Sequence, residues 1–242
     1  MFNGSDSPML EILHQGELAI QGQFAWGSNY TFLVEVTHAD GVIQAVYKPC
    51  RGERPLWDFP ARSLAHREVA AYWVSQALGW RLVPETVYRK QGPAGPGSVQ
   101  RYVEHDPDYH YFNFSEADRQ RLRPVALFDL LINNADRKGS HLLVDGQAHI
   151  WLIDHGICFH VEDKLRTVIW DFAGELIPPE LLEDLRRLSA LLEPQAEGYA
   201  ILRPHLSKGE LSALRKRADA LIQQGSFPDP HPNRRPYPWP PL

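Results

Sequence analysis

Two carboxylates flank a predicted β-hairpin in the middle of the chain, and this feature constrains the fold most. Asp136 precedes a first apolar run, Asp154 follows a second, and the dipeptide Asp145-Gly146 stands between them. Asp-Gly between short apolar runs is a strong signal for a hairpin turn. The runs 141–144 and 149–153 are therefore predicted to pair as strands, which brings Asp154 back beside the loop of Asp136.

Converging carboxylates suit the transfer of a phosphoryl group. This reaction needs one carboxylate to orient the attacking hydroxyl and another to hold a divalent metal ion on the phosphates. We predict that Asp136 is the catalytic base and that Asp154 is a metal ligand. Arg137 and Lys48 are the other catalytic candidates, although Arg137 could instead bind a carboxylate within the fold. Asn133 and Asn134 are expected to shape the loop rather than to bind a ligand.

A glycine-containing segment near the start of the chain is the candidate phosphate-binding loop. It covers residues 22–29, between two strand-like runs. Glycine and small polar residues let backbone N–H groups approach phosphate oxygens. We therefore predict phosphate contacts from Gly27, Ser28 and Asn29, although short Gly-Ser turns are also common in loops without this role.

The next strand ends on a lysine, and a helix further along the chain offers it a partner. Lys48 can supply a cation to the phosphates, and Glu68 can pair with Lys48 and fix it. Val46 shares a strand face with Lys48 because side chains alternate with period 2, and we predict that it covers the adenine ring. The alternative for Lys48 and Glu68 is that both are solvated surface charges.

Strand and helix signals predict an α+β fold with two lobes. Strands are predicted over 10–49, then a helix from Ser63 to Gly79, and further strands over 83–89 and 98–103. The backbone groups expected to contact adenine are those of Gln100, Arg101, Tyr102 and Val103. The resulting N-lobe covers residues 1–103, and the C-lobe covers residues 104–242.

The C-lobe is predicted to be mainly helical. Helices are expected from Pro124 into the catalytic loop, over 178–192 and over 207–224. The proline-rich segment 227–242 should be extended, and we expect it to pack along its own domain through Tyr237 and Trp239.

The same motifs resemble those of a known kinase superfamily. Asp136-Arg-Lys-Gly-Ser-His141 is similar to the D-R-x-x-x-N catalytic loop of the phosphatidylinositol 3-/4-kinase superfamily. Ile153-Asp-His-Gly-Ile-Cys-Phe159 resembles the I-D-N-G-x-x-F metal motif of type II phosphatidylinositol 4-kinases, and Tyr47-Lys-Pro49 resembles their F-K-P. The whole chain resembles a family of small bacterial, chiefly actinobacterial, kinase-like proteins, and the wider pattern is similar to HipA-type Ser/Thr kinases. The resemblance implies a compact bilobal protein-kinase-like fold that binds ATP.

One position departs from this resemblance. His141 stands where the family pattern has a metal-binding Asn, so we predict His141 as a second metal ligand. Imidazole is a poorer partner than oxygen for Mg²⁺ and suits Mn²⁺ better, so the cofactor is predicted to be Mg²⁺ or Mn²⁺. The alternative is that His141 only hydrogen-bonds the backbone of the loop.

The composition and charge of the chain indicate which classes of binding partner are expected. The chain has 242 residues, a net charge of −5 and two cysteines, Cys50 and Cys158. No broad basic surface is predicted, so a nucleic acid partner is not expected. No stretch approaches the roughly 18 apolar residues of a membrane-spanning helix, and the start lacks the features of a signal peptide. We therefore expect a cytoplasmic protein without integral membrane association.

These observations together predict an ATP- and metal-dependent phosphotransferase. Its acceptor would be a hydroxyl group of an unidentified protein or small molecule. Two other interpretations stay open from the sequence: a phosphoinositide kinase, and a nucleotide-binding pseudokinase or AMP transferase.

Overall fold

A five-stranded antiparallel sheet forms the core of the N-lobe. The protein is described here from a computed structural model that covers residues 7–24 and 30–242. The strands lie in the order β1-β2-β3-β5-β4. They are β1 (Glu17–Gln23), β2 (Phe32–His38), β3 (Gly41–Pro49), β4 (Thr86–Arg89) and β5 (Gly97–Arg101). The predicted α+β bilobal fold, with a β-rich N-lobe and a helical C-lobe, is confirmed.

Strand β3 places the lysine at the centre of this sheet. The turn between β2 and β3 falls at Asp40-Gly41 as predicted, with His38 paired to Gly41. The φ of Gly41 is 145°, a conformation that side chains rarely adopt. On its other side β3 pairs with β5, where Lys48 lies opposite Ser98. The chain leaves β5 at Arg101 and enters the C-lobe, and a boundary between residues 103 and 104 is our proposal.

The chain begins its described part with a helix that the sequence analysis did not predict. Residues 10–15 were expected to be strand, but they lie in helix α1 (Pro8–Gln15). Leu10 and Leu13 are buried and stand three positions apart, so they share one helical face. Proline at the first helical turn also favours a helix start.

Helix α2 (Leu64–Leu78) packs against both lobes. It ends as predicted at Gly79, which has a φ of 75° and so adopts the left-handed conformation that favours glycine. The helix packs on strands β4 and β5 and also on two helices of the C-lobe, α5 (Pro179–Leu191) and α6 (Glu197–Leu202). Because neighbours cover it on several sides, Arg67 and Glu68 are buried along with its apolar residues.

The C-lobe contains the predicted hairpin among helices. Leu142 pairs with Leu152 in this hairpin, so the expected return of the chain to the loop of Asp136 is confirmed. Two short helices, α3 and α6, were not predicted. The elements are α3 (Glu116–Gln120), α4 (Arg123–Ile132), β6 (Leu142–Val144), β7 (Ile150–Leu152), α5 (Pro179–Leu191), α6 (Glu197–Leu202) and α7 (Lys208–Gln224). Of the helices in the described ranges, none is long and apolar enough to cross a membrane.

The proline-rich segment 227–242 is not helical, as predicted, but it turns at 232–233 and is not extended throughout. Its first aromatic residue, Phe227, is buried and packs on Phe172 with ring centroids 5.7 Å apart. Tyr237 is 46% exposed and Trp239 is 75% exposed, so the expectation that these two side chains pack on the domain was wrong. Backbone groups hold that part of the segment. Gly139 N–H donates to the Pro241 carbonyl at 2.8 Å, and Thr167 N–H donates to the Pro236 carbonyl at 2.9 Å.

Candidate functional site

Lys48 and Glu68 form the ion pair that their sequence positions predict. The Lys48 ammonium donates to Glu68 Oε1 at 2.6 Å, and it also donates to Asp154 Oδ1. Burial alone lowers the pKa of Lys48, but the carboxylates of Asp154 and Glu68 outweigh it and raise the pKa above its ordinary value. The lysine is therefore a fixed cation at the junction of β3, α2 and the segment after β7.

Asp154 faces the opening of the site from the end of the hairpin. Its side chain is 47% exposed, and its Oδ2 lies 3.3 Å from His141 Nε2. Burial raises the pKa of Asp154, but the charges of Lys48 and His141 outweigh this effect and lower it below its usual range. The carboxylate is thus ionised at neutral pH. Asp154 also has a φ of 60°, a strained conformation that is common at functional sites.

His141 lies between Asp154 and the backbone of the loop, in contact with both. Burial is the main cause that lowers the pKa of His141 to about 4, so the ring is neutral at pH 7. Lys138 N–H approaches His141 Nδ1 at 3.4 Å. If Nδ1 accepts this hydrogen bond, Nε2 carries the proton and donates to Asp154. A metal ion at Nε2 would require the other tautomer.

Asp136 lies in the loop after α4, and the pKa of its carboxyl group is raised towards neutral pH. Burial is the largest cause that raises the pKa of Asp136 to about 6, while Lys138 lowers it and Asp154 raises it. The backbone N–H of Asp136 donates to Asn134 Oδ1 at 3.0 Å, which fixes the loop at this residue. A base with a pKa near the working pH is effective in proton transfer.

Lys138 is a site residue to which the sequence analysis gave no role. Its ammonium lies 3.7 Å from Asp136 Oδ2, on the open side of the loop. A second basic residue so soon after Asp136 was a usable signal, because a transferred phosphoryl group needs nearby positive charge.

Arg137 does not have the catalytic role predicted for it. The side chain is fully buried, and its Nε donates to Asp129 at 3.0 and 3.1 Å to the two oxygens. Nη1 donates to the Ile153 carbonyl at 2.8 Å, and Nη2 lies 2.8 Å from His155 Nε2. Because its donors point into the fold, Arg137 cannot contact a substrate. The alternative considered for it, binding a carboxylate within the fold, is confirmed.

Asp129 is the partner that the sequence analysis overlooked. It is fully buried in helix α4 and accepts hydrogen bonds from Asn134 Nδ2 and Thr167 Oγ1, both at 3.0 Å. Asn133 ends α4 with a φ of 53°, and its amide donates to the carbonyls of residues 160 and 162. The prediction that Asn133 and Asn134 shape the loop is confirmed.

Some of the groups that were predicted to contact adenine already form hydrogen bonds with neighbouring residues of the sheet. Arg101 N–H donates to the Glu85 carbonyl at 2.8 Å, and Tyr102 N–H donates to the Gln44 carbonyl at 3.0 Å. The side-chain amide of Gln100 donates from Nε2 to Thr86 Oγ1 at 2.8 Å. The N–H groups of Arg101 and Tyr102 are therefore not free for adenine, which corrects that part of the prediction.

Two adenine contacts stay as predictions. Val103 lies two residues beyond the end of β5, and Val46 lies opposite Gln100 in the register of β3 and β5. The predicted phosphate contacts of Gly27, Ser28 and Asn29 lie outside the described residues.

The side chains present fit a metal ion that arrives with a nucleotide. Within residues 7–24 and 30–242, no group of three or more His, Cys, Asp or Glu residues could hold a metal ion. Asp154 and His141 supply two ligands at most. Mg²⁺ is commonly bound through one or two carboxylates together with substrate phosphates and waters, so this donor set is sufficient only when phosphate oxygens complete it.

Sequence comparisons find a relative that matches most of the chain. No protein-family model matches the chain. The chain is 42% identical to Protein Rv2133c of Mycobacterium tuberculosis over 267 aligned positions, which cover 95% of this chain and 94% of that protein.

Solved kinase structures have a similar fold at low sequence identity. The Golgi casein kinase with Mn/ADP bound matches with a TM-score of 0.54 and 16% identity, over 89% of this chain and 74% of that one. The Helicobacter pylori proinflammatory kinase CtkA matches with a TM-score of 0.54 and 11% identity, over 88% and 94%. Hydra Fam20 with sugar matches with a TM-score of 0.52 and 14% identity, over 91% and 89%. The kinase-like fold is thereby confirmed, whereas membership of the phosphatidylinositol 3-/4-kinase superfamily stays a prediction.

Proposed function

The chain belongs to the family of Protein Rv2133c of Mycobacterium tuberculosis, and we propose that it is an ATP- and metal-dependent phosphotransferase that acts on a hydroxyl group. One observation carries this proposal. Residues from distant parts of the chain converge at one opening, with Lys48 bound to both Glu68 and Asp154. Asp136, whose pKa is raised to about 6, lies close enough to Asp154 for the two charges to interact.

The N-lobe residues bind and orient the nucleotide. Lys48 contacts phosphate oxygens, and Glu68 holds its ammonium in place during this contact. The ammonium must then exchange its bond to Asp154 for bonds to phosphate. Positioning of this kind, together with charge neutralisation, supplies most of the catalysis in phosphoryl transfer.

The C-lobe residues bind the metal and orient the acceptor. Asp154, together with His141 if the imidazole is a ligand, would hold a divalent ion, which would supply positive charge to the phosphates. Asp136 orients the acceptor hydroxyl and takes up its proton. The Golgi casein kinase, whose fold is similar, was solved with Mn/ADP, and this supports a nucleotide and a divalent metal as cofactors.

The acceptor is proposed to be a hydroxyl of a protein or a small molecule. A phosphoinositide acceptor and a transfer of AMP are competing outcomes of the test below, because no contact in the described residues favours either of them.

Measuring ATP consumption with Mg²⁺ or Mn²⁺ tests the proposal. We expect metal-dependent formation of ADP in the presence of a panel of hydroxyl acceptors, and loss of this activity when the metal is chelated. Intact-mass analysis of the protein and the acceptors distinguishes added phosphate from added AMP. Binding of ATP without any consumption would identify a pseudokinase and contradict the proposal.

A further inference from the structure

His155 lies at the centre of the site, and no role has yet been given to it. It directly follows Asp154 and is fully buried. Its ring and the ring of Phe128 are nearly perpendicular, with centroids 5.9 Å apart, so the imidazole packs on helix α4. Packing alone would not require a histidine at this position.

The contact with Arg137 identifies the tautomer of the His155 ring. Arg137 Nη2 lies 2.8 Å from His155 Nε2, and a guanidinium can only donate hydrogen bonds. Nε2 must therefore be the acceptor, and in a neutral ring the proton is on Nδ1. Among the residues that the structure describes, this buried Nδ1 has no hydrogen-bond partner. It faces Glu68 Oε2 at 3.8 Å.

Glu68 divides its two carboxylate oxygens between Lys48 and His155. Oε1 accepts from the Lys48 ammonium at 2.6 Å. Oε2 accepts from the backbone N–H of His155 at 2.8 Å and faces the ring proton of the same residue. The orientation of the Glu68 carboxylate therefore depends on where His155 lies, and Arg137 holds the His155 ring.

We propose that His155 is a positioning residue that couples Arg137 to the Lys48–Glu68 ion pair. Its neutral ring accepts from Arg137 on one side and directs an N–H towards Glu68 on the other. Glu68 then holds the ammonium in the direction of the phosphates. The proposal rests on the proposed function, since Lys48 is the group whose placement is controlled.

Three substitutions separate the two contacts of the ring. His155→Phe keeps an aromatic ring and removes both nitrogens. His155→Asn keeps a donor near the position of Nδ1, facing Glu68, whereas His155→Gln keeps an acceptor near the position of Nε2, facing Arg137. We expect His155→Phe to lower kcat by about 10- to 100-fold, the usual range when an outer partner of a functional group is lost. His155→Asn should keep more activity than His155→Gln.

A double-mutant cycle tests whether His155 acts through Glu68. If it does, His155→Phe should reduce kcat little further in a protein that already carries Glu68→Gln. A purely structural role predicts that the two reductions multiply, and that result would overturn the proposal. Thermal melts of all variants show whether each one folds, and His155→Gln replaces His155→Phe in the cycle if the latter does not.

Chemical labelling of Lys48 gives a readout that does not depend on turnover. The acetylation rate of Lys48 with acetic anhydride is measured by peptide mass mapping in wild type and in the folded His155 variant. We expect labelling to be several-fold faster in the variant, because the ammonium is less firmly held. An unchanged rate overturns the proposal. If wild type transfers no phosphate, the proposed function fails, but this labelling result still decides the role of His155.

Discussion

The site has a buried side and an open side, and neighbouring residues of the chain divide between them. Arg137 is fully buried with its charge matched by Asp129, whereas Asp136 directly before it is partly exposed and has a raised pKa. Buried charges that are fully paired hold geometry. Charges near solvent with displaced pKa values are available to ligands and protons. The catalytic loop thus combines a structural anchor with a reactive group.

The largest effect is expected on the buried side. Arg137→Met would leave Asp129 as an uncompensated buried charge, which should lower the free energy of unfolding by about 3–5 kcal/mol. Arg234→Met is a matched control, because Arg234 pairs with Asp163 on the surface. A surface pair contributes only about 0–1 kcal/mol. Equal losses in urea denaturation of the two variants would contradict the distinction between the two sides.

The next effect concerns the metal on the open side. Asp154→Asn removes the carboxylate that faces the opening, so it should weaken Mg²⁺-dependent ATP binding by about 10- to 100-fold, or roughly 1.4–2.7 kcal/mol. Calorimetry should compare titrations with and without Mg²⁺, since the substitution also frees Lys48 from an ion pair. If Mg²⁺ strengthens ATP binding equally in wild type and variant, Asp154 is not the metal ligand.

Asp136→Asn should make the protein more stable while it removes the base. Because the pKa of Asp136 is raised from 3.8 to about 6, the folded state binds more protons than the unfolded state between these values. Stability therefore falls as pH rises through this window. The substitution should raise the free energy of unfolding by roughly 1–2 kcal/mol at pH 7.

The gain from Asp136→Asn should be smaller at pH 5 than at pH 7, because at pH 5 most of the folded wild type already has a protonated Asp136. Chemical denaturation at both pH values measures the difference. A destabilised variant at pH 7 would show that Asp136 belongs with the buried, structural side.

The smallest effect distinguishes the two roles of His141. If His141 binds the metal, His141→Asn should shift the ratio of activities with Mg²⁺ and Mn²⁺ towards Mg²⁺, because Mg²⁺ prefers oxygen ligands. If His141 only hydrogen-bonds the backbone of the loop, the ratio should not change. Measuring the ratio in wild type and variant decides between these roles.

The residues of the open side were easier to predict from the sequence than the residues of the buried side. Lys48 lies at the end of a predicted strand, and Asp136 and Asp154 lie before and after the Asp-Gly hairpin. These local signals and their order along the chain predicted that the three residues meet. The ion pair of Lys48 with Glu68 is present in the structure. Helix α7 also follows local rules, since Ser207 and Glu210 form a capping box and Gly225 ends the helix.

The buried side could not be predicted because it depends on side-chain contacts between segments that only the fold brings together. Asp129 lies within the apolar stripe of α4, where the sequence gives no sign of its partner eight residues later. Consecutive residues in a loop can point to opposite sides, so nothing local separates Arg137 from Asp136. The same holds for the segment 227–242, where the carbonyls of Pro236 and Pro241 accept hydrogen bonds while Tyr237 and Trp239 stay exposed.

The most direct test of the account compares phosphoryl transfer in wild type, Asp136→Asn and Asp229→Asn, the last being an exposed carboxylate that serves as the control. All three proteins should bind Mg²⁺–ATP with similar affinity. Wild type and Asp229→Asn should form ADP at similar rates in the presence of an acceptor. Asp136→Asn should be slower by about 10²- to 10⁴-fold, the usual contribution of a general base. Equal rates in wild type and Asp136→Asn, or no ADP from wild type despite bound nucleotide, would contradict the account.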